Sequence, residues 1–206
     1  MEKVSILAVA GSLRRASLNR KLLAAGVEAL RARGAEVDVL DLNEVAMPIY
    51  SQDIEDAEGL PPGALAFKRR IDAADGLLFA VPEYNASVPG GFKNALDWAS
   101  RGTEDVLRGK IGAIMSASPG GFGGIRMNPH LRQVLRAVGV LALHEQVTLS
   151  RAHEAFDEAG KLTATHIQHQ VEALADRLIE EVLLHRLGAR QLRAMLDAQA
   201  DAGDQA

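Results

Sequence analysis

The chain has no cysteine among its 206 residues. Disulfides, thiol redox chemistry and thiolate metal sites are therefore excluded, and any redox chemistry must be carried by a bound cofactor. An excess of basic charge is also missing, because the formal net charge is −4. That charge argues against a general nucleic-acid surface. No apolar run reaches the roughly 20 residues that span a membrane. We therefore expect neither a nucleic acid nor a membrane as a partner.

The beginning of the chain lacks the features of a signal peptide. Met1-Glu-Lys leads straight into a short apolar stretch, without the longer hydrophobic region that secretion requires. A cytoplasmic location is the expectation that follows.

Strand and helix patterns alternate along the sequence. Short apolar runs, typical of strands buried on both faces, recur between segments with helical spacing of their apolar residues. The predicted strands are Val4–Ala10, Glu36–Leu42, Gly76–Val81, Ile111–Met115 and Leu141–Leu149. Five β-α repeats predict an α/β fold with a doubly wound, five-stranded parallel sheet, for which we expect the strand order 2-1-3-4-5.

Two boundaries are also predicted. Asn128-Pro129 is read as the cap and first-turn pair of one helix, because proline is favoured in the first turn. The main domain is expected to cover residues 1–184. A C-terminal extension, residues 185–206, is expected to form a short amphipathic helix and then, from Asp197, a segment of disordered composition.

The loop after the first strand is rich in groups that bind anions. It runs from Gly11 to Arg20, between a buried strand and a helix, where unpaired backbone amides and the helix dipole favour negative charge. Ser12, Ser17 and Asn19 add neutral donors, and Arg14 can supply a charged fork to a phosphate. The alternative is an ordinary turn in which Ser17 merely caps the helix.

Two further loops should lie at the same end of the sheet, where open α/β sheets bind their ligands. The loop Pro82–Gly91 follows the third strand, and its Asn85 carries an amide with both donors and an acceptor. The loop Ser116–Gly124 follows the fourth strand and contains four glycines, which allow a planar ligand to approach the backbone closely. Together the three loops predict a site for a phosphate joined to a flat polar ring.

These residues resemble a known family. The segments Gly11-Ser-Leu-Arg-x-x-Ser-x-Asn19, Pro82-Glu-Tyr-Asn85 and Ser87-Val-Pro-Gly-Gly-Phe-Lys-Asn-Ala-Leu-Asp-Trp98 are similar to motifs of the NADPH-dependent FMN reductases. That flavodoxin-like family includes bacterial quinone, azo-dye and chromate reductases. The resemblance extends from about Val4 to about Val182 and implies a flavodoxin-like FMN-binding domain.

The resemblance also implies roles for individual residues. The FMN phosphate would be bound by Ser12, Arg14, Ser17 and Asn19, with Leu13 and Leu18 as spacers. The isoalloxazine ring would be bound by Pro82, Glu83, Tyr84, Asn85, Ser118, Gly120 and Gly121. For Glu83 the backbone is the expected contact, since hydride transfer needs alignment more than acid-base help. No catalytic side chain is expected, because the flavin carries the chemistry.

The function expected from these features is an FMN-dependent NAD(P)H oxidoreductase. It would pass a hydride from NADPH or NADH to flavin N5 and then two electrons to a small acceptor such as a quinone, by a ping-pong mechanism. The resemblance further implies a homodimer or homotetramer, since family members build part of the ring pocket from a partner subunit.

Two other functions stay open. One is a flavodoxin-like electron carrier or flavin-binding module without NAD(P)H turnover. Its usual aromatic cover for the ring is scarce, because only Tyr84 and Phe122 fall in the site loops. The other is a phosphate-binding protein without flavin, although the first loop lacks the Gly-Lys-Ser/Thr ending of a nucleotide P-loop. No metal site is expected: His166 and His169 are read as a solvated helix face, without a third ligand nearby.

Overall fold

Five parallel strands form the centre of the molecule in a computed structural model, which describes residues 3–203. The strands are β1 (Ser5–Ala10), β2 (Glu36–Asp41), β3 (Gly76–Ala80), β4 (Ile111–Ala117) and β5 (Leu141–Leu149). They pair in the order β2-β1-β3-β4-β5, which confirms the predicted doubly wound, flavodoxin-like sheet. Every residue of β3 and β4 is buried, as the continuous apolar runs predicted.

Six helices flank the sheet within residues 3–203. They are α1 (Leu18–Ala32), α2 (Gln52–Glu58), α3 (Pro62–Asp72), α4 (Gly90–Ala99), α5 (Met127–Ala137) and α6 (Thr165–Gly203). The apolar faces of α1 and α6 pack on one side of the sheet, and those of α3, α4 and α5 pack on the other. Parallel strands need such crossover helices, so both faces of the sheet are covered. Among the described residues, no helix is long and apolar enough to cross a membrane.

Two predicted helix boundaries differ from the structure. The helix α5 begins at Met127 with Arg126 as its cap, so the prediction that Asn128 caps it is wrong. Asn128 instead lies in the first turn, buried, and its side-chain amide has no hydrogen-bond partner in the part of the chain that the structure describes. At the other end of the chain, α6 continues unbroken to Gly203 rather than ending before a short separate helix. Residues 204–206 of the predicted disordered segment lie outside the described residues.

Arginine side chains occupy the outer edges of the sheet. On β2, Arg31 donates to the carbonyl of Val37 at 3.0 Å, and Arg70 donates to that of Val39 at 2.8 Å. At the other edge, Arg132 donates to three successive carbonyls of β5, at Leu143, His144 and Glu145. Unpaired edge carbonyls can recruit a strand from another molecule. These contacts therefore leave fewer free carbonyls at the two edges for pairing with another strand.

Candidate functional site

The three predicted loops lie side by side at one end of the sheet. Because β1, β3 and β4 are neighbours and parallel, the loops that follow them leave the sheet at the same edge. Backbone hydrogen bonds join the strand ends, from Gly11 N–H to the Ala80 carbonyl at 2.9 Å and from Val81 N–H to the Met115 carbonyl at 2.9 Å. The arrangement brings the anion loop and both predicted ring loops to a single crevice.

The first loop leaves its polar groups available. Ser17 occupies the cap position of α1, but its side chain forms no capping hydrogen bond, so the alternative of a simple capping serine is not what the structure has. Ser12 and Ser17 are both buried, and the Ser12 hydroxyl accepts from the Arg14 backbone N–H at 3.4 Å. Arg14 is exposed and forms no ion pair within residues 3–203. Two hydroxyls, one unpaired guanidinium and the amino end of a 15-residue helix thus belong to one short segment. The donor set suits a phosphate dianion.

The neighbouring cation Arg20 is not available to an anion. Its guanidinium donates two hydrogen bonds of 2.6 Å to the Asp41 carboxylate, at the end of β2. Burial favours the neutral acid, but the Asn43 backbone N–H and Arg20 together hold the pKa of Asp41 below its ordinary value. Asn43 also donates from its side chain to the Leu13 carbonyl at 3.1 Å. Arg20 and Asn43 therefore brace the loop, a role that the spacing of the sequence did not indicate.

The two leucines of the first loop differ in environment. Leu13 is exposed, and a Cβ placed on Gly91 would lie 3.3 Å from its Cδ1 atom. Leu18 is the first residue of α1 and packs against the core on that side of the sheet. Leu18 is therefore a structural spacer, whereas Leu13 stands at the open side of the crevice.

Asn19 contacts the fourth strand rather than the open crevice. Its side-chain amide donates to the Ala117 carbonyl at 2.8 Å and accepts from the Ala117 N–H at 2.9 Å. The residue is buried, and these bonds engage its Oδ1 atom and one of its two Nδ2 N–H groups. The observed side-chain partner is therefore Ala117, whereas the prediction for Asn19 was a contact to a phosphate.

The second loop contains a strained turn. Two backbone hydrogen bonds of 3.0 Å join Tyr84 and Ser87, and the two residues between them, Asn85 and Ala86, have φ angles of 50° and 62°. Asparagine tolerates this left-handed region, but alanine adopts it at a cost of about 1–3 kcal/mol. The turn holds the Tyr84 ring and the Asn85 amide at the surface. Both are therefore accessible to a ligand in the crevice.

Glu83 links the second loop to the third. Its carboxylate, 8% exposed, pairs with the Arg126 guanidinium and accepts from the Arg126 backbone N–H at 3.0 Å. The Arg126 guanidinium also lies 5.4 Å from the centre of the exposed Phe122 ring. The Glu83 side chain is thus engaged in joining the loops, and the prediction that its backbone contacts a ligand stays a prediction.

The third loop presents glycines to open space. The Ser116 hydroxyl donates to the Gly123 carbonyl at 2.7 Å and fixes the base of the loop. Further out, the Ser118 hydroxyl accepts from the Gly120 N–H at 3.1 Å. A Cβ at Gly121 would meet nothing within 4 Å. A flat ligand could therefore approach this backbone closely.

Two further observations concern residues away from the crevice. Trp98 is fully buried and donates from its indole N–H to the Pro48 carbonyl at 2.8 Å, so its role is packing. Across the described residues, no group of three or more His, Asp or Glu side chains could hold a metal ion.

Comparison with known proteins identifies a family. Residues 4–154 match the model of the NADPH-dependent FMN reductases. An NAD(P)H-dependent FMN reductase of Pseudomonas aeruginosa is 40% identical over 178 residues, which cover 84% of this chain and 94% of the relative. The quinone reductase of Escherichia coli is 37% identical over 144 residues, covering 70% of this chain and 76% of the relative.

A solved structure agrees with these sequence relatives. The flavoenzyme NAD(P)H:(acceptor) oxidoreductase FerB of Paracoccus denitrificans superposes with a TM-score of 0.74 and 31% identity. The superposition covers 86% of this chain and 98% of that protein. The likeness therefore extends over almost the whole of the solved enzyme.

The Glu83–Arg126 pair leads to a stability prediction. Glu83→Gln keeps the shape of the side chain but removes its charge, so the free energy of unfolding should fall by about 1–2 kcal/mol. Glu154→Gln is the matched control. The Glu154 carboxylate is exposed and lies 4.0 Å from Arg151 and 3.3 Å from the exposed His153, and removing such surface contacts should not measurably change the free energy of unfolding. Urea unfolding of both variants measures the difference. Equal behaviour of the two variants would show that the Glu83 pair does not hold the loops.

Proposed function

The chain belongs to the NADPH-dependent FMN reductase family, and we propose that its three crevice loops bind FMN and serve the reduction of small flat acceptors such as quinones. At the level of class, it is an NAD(P)H-dependent FMN or quinone reductase that uses FMN and NAD(P)H. The placement of the cofactor, the roles of single residues and the order of the reaction are the parts that we propose.

The observation that carries this proposal is the donor set of the first loop. Arg14 is exposed, Ser17 is free of a capping role, and both lie at the positive end of α1. We assign the FMN phosphate to Ser12, Arg14 and Ser17, with backbone N–H groups of the loop, including that of Asn19. Charged hydrogen bonds of this kind are about twice as strong as neutral ones, so the phosphate should anchor the cofactor.

The ring is assigned to the other two loops. The backbone of Pro82, Glu83 and Tyr84, with the Asn85 amide, would meet the polar edge of the isoalloxazine. Ser118, Gly120 and Gly121 would lie against the ring from the third loop, where the open space at Gly121 leaves room for it. When bound, FMN supplies hydride acceptance at N5 from nicotinamide and donation of two electrons to an acceptor.

In turnover, the protein orients the cofactor and gives the nicotinamide and the acceptor access to it. The loops hold one edge of the site and leave a face uncovered, since Tyr84 and Phe122 are the aromatic residues there and both are exposed. A nicotinamide and a quinone would need the same uncovered face. We infer that they bind alternately, which gives ping-pong kinetics. The sparse aromatic cover argues against the alternative of an electron carrier.

The crevice surface also supports an oligomer. Four large apolar side chains around the loops are exposed: Leu13, Tyr84, Phe122 and Ile125. The arginine contacts at both sheet edges oppose association there, so we propose a homodimer or homotetramer in which a second copy covers part of the crevice. Light scattering should then give twice or four times the 22.0 kDa chain mass. A monomer at micromolar concentration would contradict this proposal.

We also propose a cytoplasmic location, because the reaction consumes NAD(P)H, which cells regenerate in that compartment. Fractionation of cells that express the protein would test it, and recovery of the protein outside the cytoplasm would contradict it.

Arg14 gives a direct test of the phosphate assignment. Arg14→Ala should weaken FMN binding by about 1.5–3 kcal/mol, the range for a charged hydrogen bond, and leave riboflavin binding unchanged. Arg15→Ala is the matched control, since Arg15 is a neighbouring exposed arginine to which we assign no contact. Titration of flavin-free protein measures all of these affinities. Equal losses for FMN and riboflavin would place Arg14 away from the phosphate.

Stopped-flow reduction tests the reductase function. Without oxygen, mixing the holoprotein with NAD(P)H should bleach the visible flavin absorbance fully, and a later addition of benzoquinone should restore it. Initial rates at varied NAD(P)H and quinone should give parallel double-reciprocal lines, as alternate binding requires. Flavin that stays oxidised over minutes with NAD(P)H, while a protein partner reduces it by single electrons, would establish the electron carrier instead.

A further inference from the structure

Asn19 completes the sheet at a point where a strand is missing. On β4, alternate residues direct their backbone groups to the same side, so Met115 and Ala117 both face β3. Met115 accepts a hydrogen bond from Val81 N–H, but β3 has ended at Ala80. Among the described residues, none that follows β3 forms a backbone hydrogen bond with Ala117.

The Asn19 side chain supplies the missing pair. Its amide group makes the two hydrogen bonds that a neighbouring strand would make, one donated to the Ala117 carbonyl and one accepted from the Ala117 N–H. On the opposite side of β4, Ser118 donates its N–H to the Leu149 carbonyl of β5 at 3.0 Å. Hydrogen bonds thus fix the end of β4 on both sides, and those on one side come from Asn19 at the start of α1.

This link joins the two halves of the proposed cofactor site. Ser17 and Asn19 are two residues apart at the start of α1, and Ala117 directly precedes Ser118. A shift of α1 relative to β4 would therefore move the phosphate donors relative to the ring contacts. The two hydrogen bonds to Ala117 engage the Oδ1 atom and one of the two Nδ2 N–H groups of Asn19, and the side chain is buried.

We propose that Asn19 is a positioning residue, which sets the distance between the phosphate loop and the ring loop, and that its side chain does not bind the phosphate. The inference rests on the proposed placement of FMN in the three loops. It deepens that proposal, because it makes the affinity for the ring depend on a residue of the phosphate motif.

The first test compares two ligands. Asn19→Ala leaves the Ala117 N–H and carbonyl buried without partners. Because the end of β4 leads directly into the ring loop, the dissociation constant of riboflavin should rise by about tenfold, which corresponds to about 1.4 kcal/mol. The dissociation constant of FMN should rise by at least the same factor, since FMN contacts both loops. A rise for FMN alone would show that the side chain binds the phosphate and would overturn the proposal. A wild-type protein that binds no flavin would instead refute the proposed function.

Asn94→Ala is the matched control. Asn94 makes the same pair of hydrogen bonds elsewhere, since its amide donates to the Pro48 carbonyl at 2.9 Å and accepts from the Tyr50 N–H at 2.8 Å. Its loss should lower stability while leaving both flavin affinities unchanged. Equal weakening of flavin binding by the two variants would reduce the Asn19 effect to general destabilisation and contradict the proposal.

A second measurement needs no flavin. In flavin-free Asn19→Ala, NMR hydrogen exchange at the Ala117 amide should be at least about tenfold faster than in the wild type, with Met115 little changed. If the Asn19→Ala variant does not fold, hydrogen exchange in the wild-type protein tests the proposal instead. Its Asn19 side-chain amide proton that is bonded to the Ala117 carbonyl should exchange slowly, both without flavin and with FMN bound. Fast exchange in the flavin-free protein, or loss of this protection when FMN binds, would contradict the proposal.

Discussion

The parallel pairing of β1, β3 and β4 is the constraint on which the rest of the structure depends. Parallel neighbours end at the same edge, so the loops that follow them must share one crevice. The same pairing requires crossover helices on both faces, and one of these, α1, begins in the crevice and turns its positive end toward it. Phosphate donors and ring contacts are therefore neighbours as a consequence of topology, although about 70 residues separate their segments of the chain.

Rigidity in the crevice comes from a few long-range polar contacts. Asn19 joins the first loop to β4, and Glu83 joins the second loop to the third. Each contact engages a side chain that could otherwise have met a ligand. What remains is an exposed guanidinium, two buried hydroxyls, a strained turn and exposed glycines. We propose that such a site holds a phosphate through side chains and a ring through backbone and shape, which suits a reaction whose chemistry resides in the cofactor.

The fold was largely predictable because local patterns decide it. Buried strands such as Gly76–Ala80 are continuous apolar runs, and their alternation with helical spacing leaves few topologies. The three loops were predictable for the same reason, since they follow strands. The use of individual side chains was not predictable, because Asn19 finds its partner 98 residues away and Glu83 finds its partner 43 residues away. Spacing along the chain carries no information about such partners. The prediction that Asn128 caps α5 failed for a local reason. Proline is tolerated throughout the first turn of a helix, so Pro129 does not fix the residue at which α5 begins.

A crystal structure of the protein with FMN tests the central claim most directly. The account predicts phosphate oxygens about 2.7–3.0 Å from the Arg14 guanidinium and the hydroxyls of Ser12 and Ser17. It also predicts the ring edge against the backbone of residues 82–85 and an Asn19 amide still bonded to Ala117. A phosphate bound outside the first loop, or an Asn19 side chain turned away from Ala117 onto the phosphate, would contradict it.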